Sequence, residues 1–508
     1  MGHDGEAAAR GRTRRAGPGG TSARGVRPGA SVPAVRAEPV TTTRAVIARI
    51  SMRGTGMSPT VAQDHRVDRR PREHPGAGPS APASGRRPAA GEAGHGHPDP
   101  PGAAACAAGP DPWGDARAVD GDVSGAVRAV LRDLLTRRVA AAQAVDPLFA
   151  RDLADRVARF TQSGGKLSRA RLVWWALRAC GGADPARTHA ALRVGAALEL
   201  IQTCALIHDD VMDGARTRRG RPALHADVEA QYAAAAVPGA DAGAGPRGAR
   251  LGQAAAILAG DLALAWADDV VADTELPRDT ARRLRDLWSA MRLEMVAGQY
   301  LDVQGEATLT RAPARAIRAA CLKSALYSVE RPLALGAALA DADPAAVRAL
   351  CSAGRSVGLA FQLRDDLLDV FGDPAETGKP VGGDLRSGKP TYLCAVAQAR
   401  AETAGDRHAL AVLHGTLGRA DASEDDLAAV REVFEATGAR HSVEAKIHRL
   451  VGQGLRHLDT PVLDPRAVEH LRTLLRGAAG APPDGGGAAD APAPLPLLLT
   501  VTDEGAAR

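Results

Sequence analysis

Two stretches of this chain are apolar on nearly every side. Between Ala190 and Ile207 the run carries Leu192, Val194, Leu198, Leu200, Ile201, Leu206 and Ile207. A helix with that pattern has no polar face to turn to water, so it predicts a helix buried within a bundle. Val357, Leu359, Ala360, Phe361 and Leu363 predict a second one. From about Val123 to about Arg476 the periodicity stays helical, with strand-like alternation and hairpin signals scarce. The fold class expected is all-α, a single large helical bundle spanning residues 119–476.

The flanks read differently. Residues 1–118 are rich in Arg, Ala, Pro and Gly without apolar periodicity, which predicts a disordered extension with little core to offset ordering entropy. The Arg-rich part up to Arg49 mimics a transit peptide but lacks regular amphipathic spacing. Residues 477–508 read as a flexible Pro/Gly/Ala tail, and Pro238 to Arg250 as a loop between helices. Leu495 to Val501 is far too short to cross a membrane, and no other apolar span of about 20 residues is expected.

Each apolar run ends in the same acidic pattern. Asp209, Asp210 and Asp213 follow the first, and Asp365, Asp366 and Asp369 follow the second. Positions i and i+4 share a helix face, so each cluster forms a claw of carboxylates. Carboxylates at the end of a buried helix need partners, because desolvating an unpaired charge costs several kcal/mol. An oxygen-only set suits Mg²⁺, which keeps waters and bridges substrate phosphates. Basic loops accompany the claws: Arg216, Arg218, Arg219 and Arg221 after the first, Lys379 and Lys389 after the second, and Lys166 and Arg169 upstream. Acid claws interleaved with cations suit a diphosphate held jointly by metal and side chains.

The segments Leu206 to Asp213 with Arg218-Arg219-Gly220, and Phe361 to Asp369, resemble the first and second aspartate-rich motifs of the trans-prenyl diphosphate synthases. Lys323-Ser324-Ala325, Glu330-Arg331-Pro332 and Gly298 to Asp302 agree with that resemblance, which covers roughly Val123 to Leu475, and the wording is similar to actinobacterial geranylgeranyl diphosphate synthases. It implies an isoprenoid-synthase bundle and a homodimer. Its substrates would be isopentenyl diphosphate and an allylic diphosphate, with three Mg²⁺ ions per site once they are bound. Asp209, Asp213 and Asp365 would be the main metal ligands, supported by Asp210, Asp366 and Asp369. Arg218, Lys323, Ser324, Gln362, Lys379 and Lys389 would hold the allylic diphosphate; Lys166, Arg169, Gln202 and Arg219 would hold that of isopentenyl diphosphate. Asp209, Asp213, Asp365, Lys323 and Lys379 would carry the catalysis.

Three departures from the family pattern stand out: Leu167 and Ala170 where a second arginine and a closing proline are usual, Gln202 where His is frequent, and Ser324 where Thr is commoner. Cys204 and Ala205 stand one turn before Asp209, where the family places an aromatic to stop growth at fifteen carbons. Both are small, which favours geranylgeranyl diphosphate. Two other classes share parts of this pattern. A class I terpene cyclase would replace the second cluster with an Asn/Asp-Ser/Thr-Glu motif, and a non-catalytic regulatory subunit would generally lose one cluster; this chain keeps both.

Several other signals add little. Gly383 to Lys389 fits G-x-x-x-x-G-K, but Pro390 follows and no strand precedes. Cysteines at 106, 180, 204, 321, 351 and 394 lack C-x-x-C spacing, which argues against zinc or a disulfide scaffold and fits a reducing, cytoplasmic setting. The net charge of +5 comes largely from the Arg-rich N-terminal segment, and 3% aromatics leaves little for base stacking, so nucleic acid is not an expected partner.

Overall fold

The computed structural model describes residues 114–218, 220–234, 244–308, 312–373 and 381–480. The described chain is an all-helical bundle built around two helices of 28 residues each, α5 (Pro185–Met212) and α11 (Pro344–Phe371). The two start alike. Asp184 and Asp343 accept backbone N–H groups at their N-caps, and a proline follows at the first helical position. That position needs no N–H, so an Asp-Pro pair is an efficient helix start. Each spans about 42 Å at 1.5 Å per residue, and each delivers its aspartates in the last turns.

Helix α5 is buried along its length, as the pattern predicted. It packs against α2 (Val123–Val145), α3 (Asp155–Gln162), α4 (Ser168–Ala179) and α7 (Ala244–Ala272). By length and composition it is apolar enough to cross a membrane, contrary to the expected absence of such a span, but 78% of its most apolar window is buried inside the structure. It is a core helix. Short α1 (Ala116–Gly121) precedes α2, starting just upstream of Val119. It is held by Asp120, which accepts from Trp174 Nε1 at 2.9 Å and Arg178 Nη2 at 2.9 Å.

After α5 a basic turn forms the two-residue strands β1 (Thr217–Arg218) and β2 (Arg221–Pro222), the one sheet among the described residues. Helix α6 (Leu224–Ala234) then packs on α7. The loop expected from Pro238 to Arg250 needs correction: residues 238–243 lie outside the described residues, and helix is already present from Ala244. A Cβ on Gly252 would lie 2.2 Å from the His225 carbonyl oxygen of α6, so only glycine admits that helix crossing.

Helix α8 (Arg278–Thr308) and α9 (Pro313–Ala320) lead into a ten-residue π-helix, Cys321–Glu330, continued by α10 (Arg331–Leu339). A π-helical turn is wide and survives where packing enforces it. Here two glycines clamp it: a Cβ on Gly298 of α8 would lie 2.2 Å from the Lys323 nitrogen, and one on Gly358 of α11 would lie 2.5 Å from the Ala325 oxygen. The π-helix is thereby pressed between α8 and α11, beside both aspartate-bearing ends. Helices α12 (Gly383–Ser387), α13 (Tyr392–Ala404), α14 (Arg407–Thr416), α15 (Glu424–Ala436), α16 (Ala439–Arg456) and α17 (Pro465–Ala478) complete the domain. Helix α16 packs on α11 and α17 on α4.

Candidate active site

The first cluster caps α5. Asp209 is half-buried, Asp210 is fully buried, and Asp213 is the exposed C-cap whose N–H donates to the Asp209 carbonyl at 2.8 Å. Arg218 on β1 donates through Nε to Asp210 Oδ1 at 2.8 Å and pairs the same oxygen through Nη2. The other carboxylate oxygen, Asp210 Oδ2, is buried with no hydrogen-bond partner among the described residues. Burial pushes the Asp210 carboxyl above its ordinary range, against the pull of Arg218.

The second cluster lies at the end of α11. Asp365 is exposed, while Asp366 is buried and accepts from Gln362 Nε2 at 2.8 Å. Asp369 accepts the backbone N–H of Asp384 at 2.9 Å. Burial, then the charge of Asp384, raise Asp366 to about 8 and Asp369 to about 6. A cation bound beside them would draw both carboxyls back toward the ionised form.

Between the clusters runs an alternating string of charges. Lys323 Nζ stands 3.9 Å from Asp209 and donates to Asp302 Oδ2 at 2.8 Å. Asp302 is 3.9 Å from Lys389 Nζ, which is 3.3 Å from Asp384, whose N–H holds Asp369. Burial alone would raise Asp302, but Lys389 and Lys323 bring its carboxyl below the ordinary range. Lys389 is held well above its usual value, first of all by Asp384. A small cavity of about 30 Å³ lined by Asp302, Lys323, Ser324, Gln362, Asp366 and Lys389 brings five expected site residues together around Asp302.

A second group sits toward α4. Lys166 is exposed on the loop before it, and Leu167 is buried in a left-handed conformation (φ 48°) as its N-cap. The leucine that departs from the family pattern is therefore a core residue, fixing the backbone between Lys166 and Arg169 at some strain. Arg169 Nη2 donates to Ser328 Oγ at 2.8 Å, and Tyr327 donates to Gln202 Oε1 at 2.8 Å. Arg219 and Lys379 lie outside the described residues.

Asp302 and Asp384 were not assigned roles from sequence. Asp302 stood among the landmark residues. Asp384 lay inside the G-x-x-x-x-G-K segment, which forms α12 with Lys389 turned to carboxylates. Among the described residues no three acid, His or Cys side chains converge closely enough to hold a metal ion alone. The donors present are all hard carboxylate oxygens and include the unpartnered Asp210 Oδ2, which fits a Mg²⁺ ion that completes its shell with water and substrate phosphate. Cys204 is buried with its thiol 3.7 Å from His208 Nδ1 and pushed up to about 12, and Ala205 is half-buried. The described cysteines are all free.

Residues 151–434 match the polyprenyl synthetase family, and the chain belongs to it. It is a prenyl diphosphate synthase of the trans type, a prenyl-transferring enzyme of isoprenoid biosynthesis. It is 37% identical over 310 residues to the (2E,6E)-farnesyl diphosphate synthase of Mycobacterium tuberculosis, covering 61% of this chain and 78% of that one. It is 36% identical over 251 residues to the geranylgeranyl diphosphate synthase of the same organism, covering 49% and 63%. Among solved structures, a geranylgeranyl pyrophosphate synthase of Corynebacterium glutamicum complexed with isoprenyl diphosphate and magnesium superposes with a TM-score of 0.63. That protein is 37% identical, with 70% of this chain and 98% of that chain covered.

Proposed function

We propose that this enzyme condenses isopentenyl diphosphate with an allylic diphosphate and releases geranylgeranyl diphosphate as its main product. The string from Asp209 through Lys323, Asp302, Lys389 and Asp384 to Asp369 carries the reading. It holds two ammonium groups between two carboxylate clusters, where a diphosphate would exchange for Asp209 and Asp384 as their partner. Mg²⁺, three ions per site with substrate bound, would be held by Asp209, Asp213 and Asp365, supported by Asp210, Asp366 and Asp369, and would supply charge stabilisation to the leaving diphosphate.

The chain's own residues then have distinct tasks. Lys323 and Lys389 would bind the allylic diphosphate oxygens as charge builds on them, aided by Ser324, Gln362 and Arg218 and by Lys379 from outside the described residues. Lys166, Arg169, Gln202 and Arg219 would hold the second diphosphate and aim its double bond at the allylic carbon. No side-chain nucleophile is needed, because the attacking electrons are those of the double bond. The proton lost after attack goes to the released diphosphate.

Product length rests on Cys204 and Ala205. Their small side chains would leave room one turn before Asp209 for a fourth five-carbon unit. A homodimer is supported by an exposed apolar row on α8, where Leu293, Val296, Tyr300 and Val303 recur at one-face spacing, with Leu251 and Leu258 exposed on α7. Incubation with isopentenyl diphosphate, each allylic primer and Mg²⁺, followed by chromatographic sizing, tests the assignment. A twenty-carbon product supports it, and termination at fifteen carbons overturns it.

A further inference from the structure

The π-helix carries a second contact set besides Lys323. Tyr327, four residues on, is buried, and its hydroxyl donates to Gln202 Oε1 on α5 at 2.8 Å. The face of its ring meets the guanidinium of Arg169 on α4, 4.4 Å from the ring centroid. The next residue, Ser328, is also buried and accepts from Arg169 Nη2 at 2.8 Å. One turn of the π-helix therefore touches two residues from two different helices.

The chemistry of those contacts is directional. An amide whose carbonyl oxygen already accepts a phenolic O–H has its NH₂ group left to give. The Tyr327 hydroxyl thus selects the donor end of Gln202 for an incoming anion. Burial raises the phenol, so it remains a donor across the working pH range. A guanidinium stacked on an aromatic face and tied at one nitrogen loses rotamer freedom before any ligand arrives. Arg169 Nε–H is also buried with no hydrogen-bond partner among the described residues, a donor capacity left unused in the free protein.

We propose that Tyr327, together with Ser328, is a positioning residue for isopentenyl diphosphate: it orients the amide of Gln202 and the guanidinium of Arg169 toward that substrate's diphosphate. The proposal rests on the reading that Gln202 and Arg169 hold it. Because the same π-helix presents Lys323 to the other diphosphate, its rigid turn would also fix the spacing of the two substrates.

Steady-state kinetics on Tyr327→Phe, which keeps the ring and removes the hydroxyl, test this directly. The KM for isopentenyl diphosphate should rise about tenfold, the loss of one hydrogen bond at an anion site. The kcat should stay within about twofold and the KM for the allylic diphosphate should not move, because nothing touching that substrate has changed. Ser328→Ala should raise the same KM about threefold through Arg169 alone, which keeps the test available if Tyr327→Phe does not fold. Adding Tyr327→Phe to Gln202→Ala should produce no further rise, since the hydroxyl acts through that amide. If Gln202→Ala and Arg169→Ala raise the KM while Tyr327→Phe and Ser328→Ala do not, the positioning role is overturned and the site assignment stands. If Gln202→Ala and Arg169→Ala leave it unchanged, the site assignment falls and the positioning role falls with it.

Discussion

Asp302 accepts a hydrogen bond from Lys323 at 2.8 Å, and the same buried carboxylate stands 3.9 Å from Lys389. Two cations from separate elements, the π-helix and the segment after α12, are thus held by one acid that belongs to neither aspartate cluster. Without it, two ammonium groups would face one another across the small cavity. Asp302→Asn should therefore destabilise the fold by about 1–3 kcal/mol, because Lys323 loses its nearest carboxylate and Lys389 is left with Asp384 alone among the described residues. It should also raise the KM for the allylic diphosphate. Urea unfolding and steady-state kinetics check both, and wild-type values for both would remove the tether from the account.

Glu306 lies one helical turn beyond Asp302, and burial, then the Asp302 charge, push its carboxyl up to about 7. A carboxyl whose folded pKa is raised contributes stability that is complete below its unfolded value and is lost as pH rises through the folded value. Wild-type stability should thus decline between about pH 4.5 and 7 on this account. Glu306→Gln carries no such charge, so it should match wild type near pH 4.5 and exceed it by about 1–3 kcal/mol at pH 8. Parallel stability-versus-pH curves for the two proteins would contradict the assignment.

Much of this site could be read from sequence, because its main signals are local. An i, i+4 pair of aspartates at the end of an apolar run declares its helix face, and both clusters do end the two apolar helices; burial falls instead on the middle residues Asp210 and Asp366, while Asp213 and Asp365 are exposed. What stayed hidden depends on contacts far apart in the chain. Tyr327 and Gln202 are 125 positions apart. The π-helical turn at Cys321–Glu330 carries no periodicity of its own; the close approach of Gly298 and Gly358 accompanies it. Gly245 and Gly248 misled in the other direction, since a glycine carried inside a helix looks the same in sequence as one that ends it. Asp384 was masked by a phosphate-loop spacing that the surrounding α12 does not fulfil.

The domain boundary makes a further test. Asp115 caps α1, and Asp120 holds Trp174 and Arg178, so structure needed by α4 begins upstream of Val123. A chain beginning at Gly114 should fold and condense substrates as the full protein does. One beginning at Val123 should lose about 1–3 kcal/mol, because the Trp174 and Arg178 donors are left without their carboxylate. Equal unfolding midpoints for the two truncations would show that α1 contributes nothing.

If the product runs past Ala205, as proposed, Ala205→Phe places a ring across its path one turn before Asp209. No diphosphate contact is removed, so condensation should continue while the product shortens by at least one five-carbon unit, toward farnesyl diphosphate. Overpacking costs about 1–3 kcal/mol, so the product distribution is the quantity to compare. An unchanged chain length in a folded, active variant would mean that the product grows along another path.

The most direct test is the condensation rate of Asp209→Ala and Asp365→Ala at saturating Mg²⁺, with circular dichroism to confirm that the helices remain. Two clusters acting on one diphosphate predict that either substitution alone lowers turnover by at least about 10²-fold, as expected when a ligand stabilising the departing charge is lost. Near-wild-type condensation in either folded variant would contradict the two-cluster site.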